Sequence, residues 1–274
     1  VARNEVEAAF WVVSFDEGRP AADPSSVMHQ SLIGADAGTR WYDKIGTFVV
    51  FDDGSAGGHG EHSYVEAVTT AAVFDHSLAR MARGVQLDWT PVAADAPRPR
   101  RLFFRPPRDT VEWLRGVRAA SAALHDDVEV TVVTMAGVSV RRRAKLAGIS
   151  PDTLTQLAIQ LAYARDDGAK YPTSVYETAS TRTFRFGRTE TMRSATEEAM
   201  DFVQAYPDAP AHVRADLLRR AAAAHDKRRR NASAGHSFDR HLLALRLVAE
   251  AEGLTLPAIL SSPLLAPLSQ FRLS

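Results

Sequence analysis

The stretch Ser150-Pro151-Asp152-Thr153-Leu154-Thr155-Gln156-Leu157-Ala158-Ile159-Gln160-Leu161-Ala162-Tyr163 carries the clearest helix signal of the chain. Ser150 stands at the cap and Pro151 at the first helical position, where a missing N–H costs nothing. Asp152 follows in the first turn, where the helix dipole favours an acid. Leu154, Leu157, Ala158, Leu161 and Ala162 recur at helical spacing and form one apolar face, and Gly168 supplies the stop. Outward from this helix, strands and helices alternate. Upstream, Val128 to Thr134 is β-branched and reads as a strand, and Asp109 caps a helix to about Leu124. Pro91, Pro97, Pro99, Pro106 and Pro107, with Arg98, Arg100 and Arg101 between them, form the best linker candidate, with Leu102 to Phe104 as a short strand inside it. Tyr64 to Arg83 reads as a helix with Val65, Val68, Ala72 and Phe74 on its apolar face and Gly84 at its end. Thr47 to Phe51 is a buried-type strand stopping at Asp53-Gly54, residues 8 to 15 form another strand, and residues 16 to 40 read as a loop. Downstream, Ser194-Ala195-Thr196-Glu197 reads as a capping box opening a helix. Two more helices run from about Pro210 to Arg229 and from about Phe238 to Glu252, the last closed by Gly253. The class is α/β or α+β.

Composition narrows the chemistry. Of 274 residues, 45% are hydrophobic and 24% charged, the balance of a globular chain. There is no run of eighteen apolar residues, so no transmembrane helix is expected. Lys plus Arg and Asp plus Glu both number 33, which gives no global reason to expect nucleic acid or an anionic membrane as partner. The absence of cysteine excludes disulfides, thiolate nucleophiles and cysteine-based zinc sites. The chain opens Val1-Ala2-Arg3 with no starting Met and no charged-then-apolar leader, and is read as an internal piece of a longer protein.

Among nine histidines, His29, His76, His125, His212, His225 and His236 fall in polar or helical-surface contexts and read as structural or solvated. His62 differs. It follows the glycine run Gly57-Gly58-His59-Gly60, whose density signals close backbone approach or tight packing, and it precedes a helix. Glu66, four residues on, would share a helical face with His62 if the helix starts there, and could orient the imidazole. A metal reading of His59 and His62 fails on spacing and on the lack of a third ligand nearby, so none is expected. The run Arg141-Arg142-Arg143 with Lys145 lies just before the Ser150-Pro151-Asp152 cap, where cations beside a helix N-terminus suit a phosphate-bearing cofactor better than DNA. Lys227 to Arg230, near a helix C-terminus, reads as solvated surface. Tyr176-Glu177-Thr178-Ala179-Ser180-Thr181-Arg182 and Gly187-Arg188-Thr189-Glu190-Thr191-Met192-Arg193 read either as a polar sheet edge leading into a helix or as an anion site.

These motifs, together with Asp239-Arg240-His241-Leu242, resemble the carnitine/choline acyltransferase family from Thr39-Arg40-Trp41-Tyr42-Asp43-Lys44 to the last residue. The resemblance implies an α/β fold of two similar domains, each a mixed sheet flanked by helices, with a tunnel between them that acyl-CoA and carnitine enter from opposite ends. Residues 1–105 would be the C-terminal part of the histidine-bearing domain and 106–274 most of the second, both truncated. His62 matches the general base. Glu66 matches an acid that pairs with the arginine matched by Arg240. Arg141 and Lys145 match cations near the CoA 3′-phosphate, and Asp152 matches an acid near the adenine. Tyr176, Thr189 and Arg240 match the groups that fix the carnitine carboxylate, with Thr191 beside them.

The implied reaction is reversible acyl transfer between CoA and carnitine. CoA is a co-substrate, and no permanently bound cofactor, metal, nucleic-acid partner or integral membrane segment is expected. Choline enzymes replace the arginine and the threonines matched by Thr189 and Thr191, so carnitine is favoured over choline. The residues from Glu66 to Thr70 look closer to acetyl-type members. The family's oxyanion serine is the second of a Ser-Thr-Ser motif, of which Ser274 matches only the first, so the isolated piece is expected to be inactive. A non-catalytic scaffold of the same fold is the rival reading. Mitochondrial or peroxisomal residence is what the family suggests.

Overall fold

The computed structural model of the chain describes residues 2–18, 20, 23–34, 38–85, 95–96, 98–166, 173–268 and 270–274. Two compact units emerge, residues 1–134 and 135–274. Both mix short strands with helices, as the α/β expectation required.

In the first unit, α1 (Ala2–Glu7) precedes β1 (Trp11–Asp16), α2 (Pro24–Ile33), β2 (Gly46–Phe51), β3 (Ala56–His59), α3 (Ala67–Ala82) and α4 (Arg108–Asp126). The sheet order is β1-β2-β3, parallel across the first pair and antiparallel across the second. Thr47, Val49 and Phe51 alternate onto one buried face of β2, the period-two pattern of a central strand. Phe48, on the other face, stacks on Trp11 with ring centroids 5.2 Å apart.

Arg40 ties this unit together. Its guanidinium is buried and reaches the Asp16 carboxylate at 2.7 Å, the Gln30 carbonyl at 2.6 Å and the Ser31 carbonyl at 3.0 Å. One cation thus serves the end of β1 and the last turn of α2, whose carbonyls carry the negative end of the helix dipole. The same hydrogen bond from Arg40 holds the Asp16 carboxyl below its ordinary range.

Four expectations change here. Residues 16 to 40 are not all loop, because Asp23 accepts from the Ser25 and Ser26 N–H groups and Pro24 sits at the first helical position, so α2 forms. Asp109 lies inside the first turn of α4, and Pro107 holds the cap position. Val128 to Thr134 is irregular. It has no ladder partner among the described residues, and the Val132 N–H donates instead to Ser25 Oγ at 2.9 Å. Leu102 to Phe104 is irregular too. Part of the proline-rich stretch, 91–94 and 97, lies outside the described residues, and α4 groups with the first unit, beyond residue 105.

The second unit contains α5 (Val140–Leu146), α6 (Pro151–Arg165), β4 (Glu177–Ser180), β5 (Thr189–Met192), α7 (Glu197–Ala205), α8 (Ala211–Ser233), α9 (Asp239–Ala251) and the one-turn α10 (Leu265–Leu268). Its core joins Leu157 of α6, Ala199, Phe202 and Val203 of α7, and Ala221 of α8. α6 starts at Pro151 as the sequence indicates, while the Gly168 stop lies outside the described residues. The cap of α7 is Thr196, which accepts from the Ala199 N–H at 3.1 Å, and not Ser194. Ser194 is instead buried, and its carbonyl accepts from Gln160 Nε2 at 3.2 Å. β4 and β5 pair antiparallel, so the polar segments around Tyr176 and Thr189 form a hairpin. Val175 bridges Leu273 in parallel, and the Tyr176 N–H donates to the Leu273 carbonyl at 2.9 Å. No helix among the described residues is long and apolar enough to cross a membrane.

Candidate active site

His62 ends a run of close backbone approaches. β3 lies against β2 and α2. A Cβ on Gly57 would stand 2.0 Å from Ser31 Oγ, one on Gly58 2.5 Å from the Thr47 carbonyl oxygen, and one on Gly60 2.7 Å from the Ile45 carbonyl oxygen. The glycines are packing requirements of the strand that delivers His62. The next turn is closed locally. The Glu61 N–H donates to the Lys44 carbonyl at 3.2 Å, and the Glu61 carboxylate accepts from the N–H and the hydroxyl of Ser63, which hold that carboxyl below its ordinary range.

His62 Nδ1 then lies 3.7 Å from Glu66 Oε2, and the imidazole is 65% exposed. The two side chains do not share a helical face as expected, because α3 begins only at Ala67 and Glu66 precedes it in an extended conformation. The turn brings them together instead. The separation is that of an ion pair, longer than a hydrogen bond. An accessible imidazole with a carboxylate neighbour has the parts of a general base. His59 turns elsewhere: its ring tilts against Tyr42 at 5.0 Å, its Nε2 is buried, and burial lowers its pKa.

In the second unit the β5–α9 corner gathers three candidates. Thr189 and Thr191 share one face of β5, two residues apart. Arg240 Nε donates to the Thr189 carbonyl at 3.3 Å, and the Arg240 N–H donates to Glu190 Oε1 at 3.2 Å. The buried Glu190 thereby satisfies a free amide at the start of α9 and also accepts from the Thr191 N–H at 2.7 Å. Arg193 grips the neighbouring Asp239 with two donors, at 3.0 and 2.7 Å. Tyr176, just before β4, sets its ring edge-on to Phe271 at 5.4 Å.

The cofactor candidates are local as well. Arg141 and Lys145 stand exposed on α5, four residues apart. Gly148, with φ +70°, turns the chain into α6, and Asp152 is exposed in its first turn. The Asp152 carboxylate belongs to a group that sequence reading missed. Asp152, Glu177 and His225 bring their ligating atoms within 4.8 Å of one another. His225 is 2% exposed, not a surface residue. Its Nε2 lies 2.8 Å from Glu177 Oε2 and its Nδ1 2.9 Å from Thr153 Oγ1. Burial raises the Glu177 carboxyl above its ordinary range; the His225 hydrogen bond opposes that shift and the Asp152 carboxyl adds to it. A divalent cation could be held by these three groups, but it would have to displace the imidazole–carboxylate hydrogen bond. A sequence signal for the burial existed: Ala221, His225 and Ala232 recur at spacings of four and seven and are the buried residues of α8.

Comparison with known proteins settles the family. The model of the choline/carnitine O-acyltransferase family matches residues 2–274. The chain belongs to this family. It is 32% identical over 267 residues to mouse (Mus musculus) peroxisomal carnitine O-octanoyltransferase, covering 95% of this chain and 43% of that protein. It is 34% identical over 240 residues to carnitine O-acetyltransferase of Columba livia, covering 87% and 38%. With the rat (Rattus norvegicus) carnitine O-acetyltransferase the figures are 31% over 283 residues, 99% and 44%. The chain thus spans less than half the length of these relatives.

Proposed function

We propose that the protein transfers an acyl group reversibly between CoA and the hydroxyl of carnitine. His62 removes the hydroxyl proton, the oxygen attacks the thioester carbonyl, and the C–S bond breaks to release CoA, which takes up the proton. Tyr176, Thr189, Thr191 and Arg240 bind carnitine; Arg141, Lys145 and Asp152 bind CoA. The observation that carries the reading is Arg240 at the β5–α9 corner: its Nε is engaged by Thr189 while the residue stays exposed, so a cation is presented beside two threonines. That arrangement suits a carboxylate, which carnitine has and choline lacks. No metal takes part in the proposed chemistry. By the resemblance, residues 1–105 end the histidine-bearing domain and 106–274 make most of the second, although the compact units divide later, after residue 134.

Acetyl and other short chains are the proposed acyl groups. The peroxisomal name of one relative and the resemblance to the family favour a peroxisomal or mitochondrial home. The test is carnitine-dependent CoA release by the full-length protein from acetyl-CoA and from octanoyl-CoA, with choline in parallel and His62→Ala as control. Release with carnitine that disappears in His62→Ala supports the reading. Faster release from octanoyl-CoA corrects the chain length, and release with choline alone overturns the assignment of Arg240.

A further inference from the structure

His225 has no part in the proposed transfer, yet it is among the most deeply buried side chains described. Thr153 follows Asp152 on α6, and Glu177 follows Tyr176 at the start of β4. The ring of His225 lies between these two segments and touches both, through opposite nitrogens, at 2.9 and 2.8 Å. We propose that His225 is a positioning residue that registers the first turn of α6 against β4, and so sets the CoA candidate Asp152 relative to the carnitine candidate Tyr176.

One assignment of the hydrogens satisfies every group. The Thr153 hydroxyl donates to Nδ1 and the Nε2–H donates to Glu177, so Thr153, imidazole and carboxyl are all satisfied in a buried place where an unmet partner is costly. A rigid ring suits the task, because its two nitrogens are a fixed distance apart and cannot retract independently. Ala221 to Ala224, the turn of α8 before His225, are small enough to let that helix come close to both segments. With both nitrogens engaged and the residue buried, the ring is placed to hold groups and not to exchange protons with a substrate. The raised Glu177 carboxyl fits the same picture, since a proton held between Glu177 and Asp152 leaves the bond from Nε2–H in place.

The inference rests on the proposed function for its kinetic readout and on none of it for its structural one. Amide hydrogen exchange is compared in the full chain for wild type, Thr153→Val and His225→Leu. Thr153→Val removes one hydroxyl at constant shape and keeps the test open should His225→Leu fail to fold. Exchange is expected to rise about tenfold or more in residues 152–156 and 176–180 and to change little in α7 and α9. Unchanged exchange in both segments overturns the inference, as does a rise spread evenly over the whole second unit.

With acetyl-CoA and carnitine, Thr153→Val should raise both KM values about three- to tenfold with kcat within about twofold. His225→Gln, whose amide can still donate to Glu177, should restore the carnitine KM more than the acyl-CoA KM. Loss of kcat at unchanged KM, with loss of one limb of the pH profile, would make His225 a proton-transfer group and defeat the proposal. An inactive full-length wild type would refute the proposed function alone, and the exchange result would still decide the role of His225.

Discussion

The two units hold their candidate residues by different means. In the first, His62 sits on an exposed turn, and what fixes it is backbone against backbone: Gly58 on the Thr47 carbonyl, Gly60 on the Ile45 carbonyl, and the Glu61 N–H on Lys44. In the second, buried or half-buried polar side chains hold the segments that carry Arg240, Asp152 and Tyr176. Glu190 and Arg193 hold the start of α9 beneath Arg240, and His225 holds Thr153 and Glu177. Among the described residues α3 and α4 bury no side chain, whereas α6, α7 and α8 share a core. Backbone support leaves a side chain free to change partners during a reaction. Side-chain support fixes a charge where a ligand must find it. A base that takes up and releases a proton suits the first arrangement, and a carboxylate receptor suits the second.

The comparison can be broken most forcefully at His62. His62→Ala should lower kcat/KM by about 10³ or more and leave thermal stability almost unchanged, because so little of the ring is buried. Initial rates beside a melting curve check both halves, and a large loss of stability would contradict the backbone-support account.

Next comes Arg40→Leu. It strips the Asp16 carboxylate and three backbone carbonyls of their cation and should cost the first unit about 3–5 kcal/mol in denaturant unfolding. Smaller again is Arg240→Gln, expected to raise the carnitine KM by about 100-fold, a charge-assisted hydrogen-bond energy, with the acyl-CoA KM little changed. An equal rise in both KM values would show that the β5–α9 corner does not separate the two ligands.

The smallest effect is a pH slope. Burial raises the Glu177 carboxyl above the ordinary value of 4.5, so its contribution to stability is present in full below that value and is lost as pH rises through the folded one. Glu177→Gln should therefore flatten the fall in stability as pH rises above about 4.5. Unfolding curves at several pH values check it, and an unchanged slope would place the titration elsewhere.

Local chemistry was legible in the sequence wherever one segment determines its own shape. Pro151 and Asp152 announce α6, Gly253 ends α9 with φ +63°, and the β-branched run before Asp53-Gly54 is β2. His62 stood out for the same reason, since its glycine run and its helix are neighbours in sequence. What escaped depends on contacts between distant segments. Residues 128–134 have the composition of a strand but find no ladder among the described residues. The Ser- and Pro-rich segment 16–40 contains α2, whose Ser31 is buried only because Gly57 leaves room for it. His225 looked like surface because its neighbours Asp226 and Lys227 are charged, and its real environment comes from residues 48 and 72 positions away. The His62–Glu66 pair was anticipated for the wrong reason, as a helical spacing where the structure makes a turn.

The bridge between Val175 and Leu273 also bears on how the molecule is made. The two residues are 98 apart in sequence. A ribosome adding about 5–20 residues per second needs roughly 5–20 s to produce the second after the first. β4 and β5 can pair early, because only a short loop separates them. The Tyr176 N–H, however, has no Leu273 carbonyl to meet until nearly a hundred further residues have emerged. For that interval the lead-in to β4 is an open edge on a nascent chain, available to other strands and to chaperones alike. The tyrosine proposed to meet carnitine is therefore among the last parts of its unit to be secured.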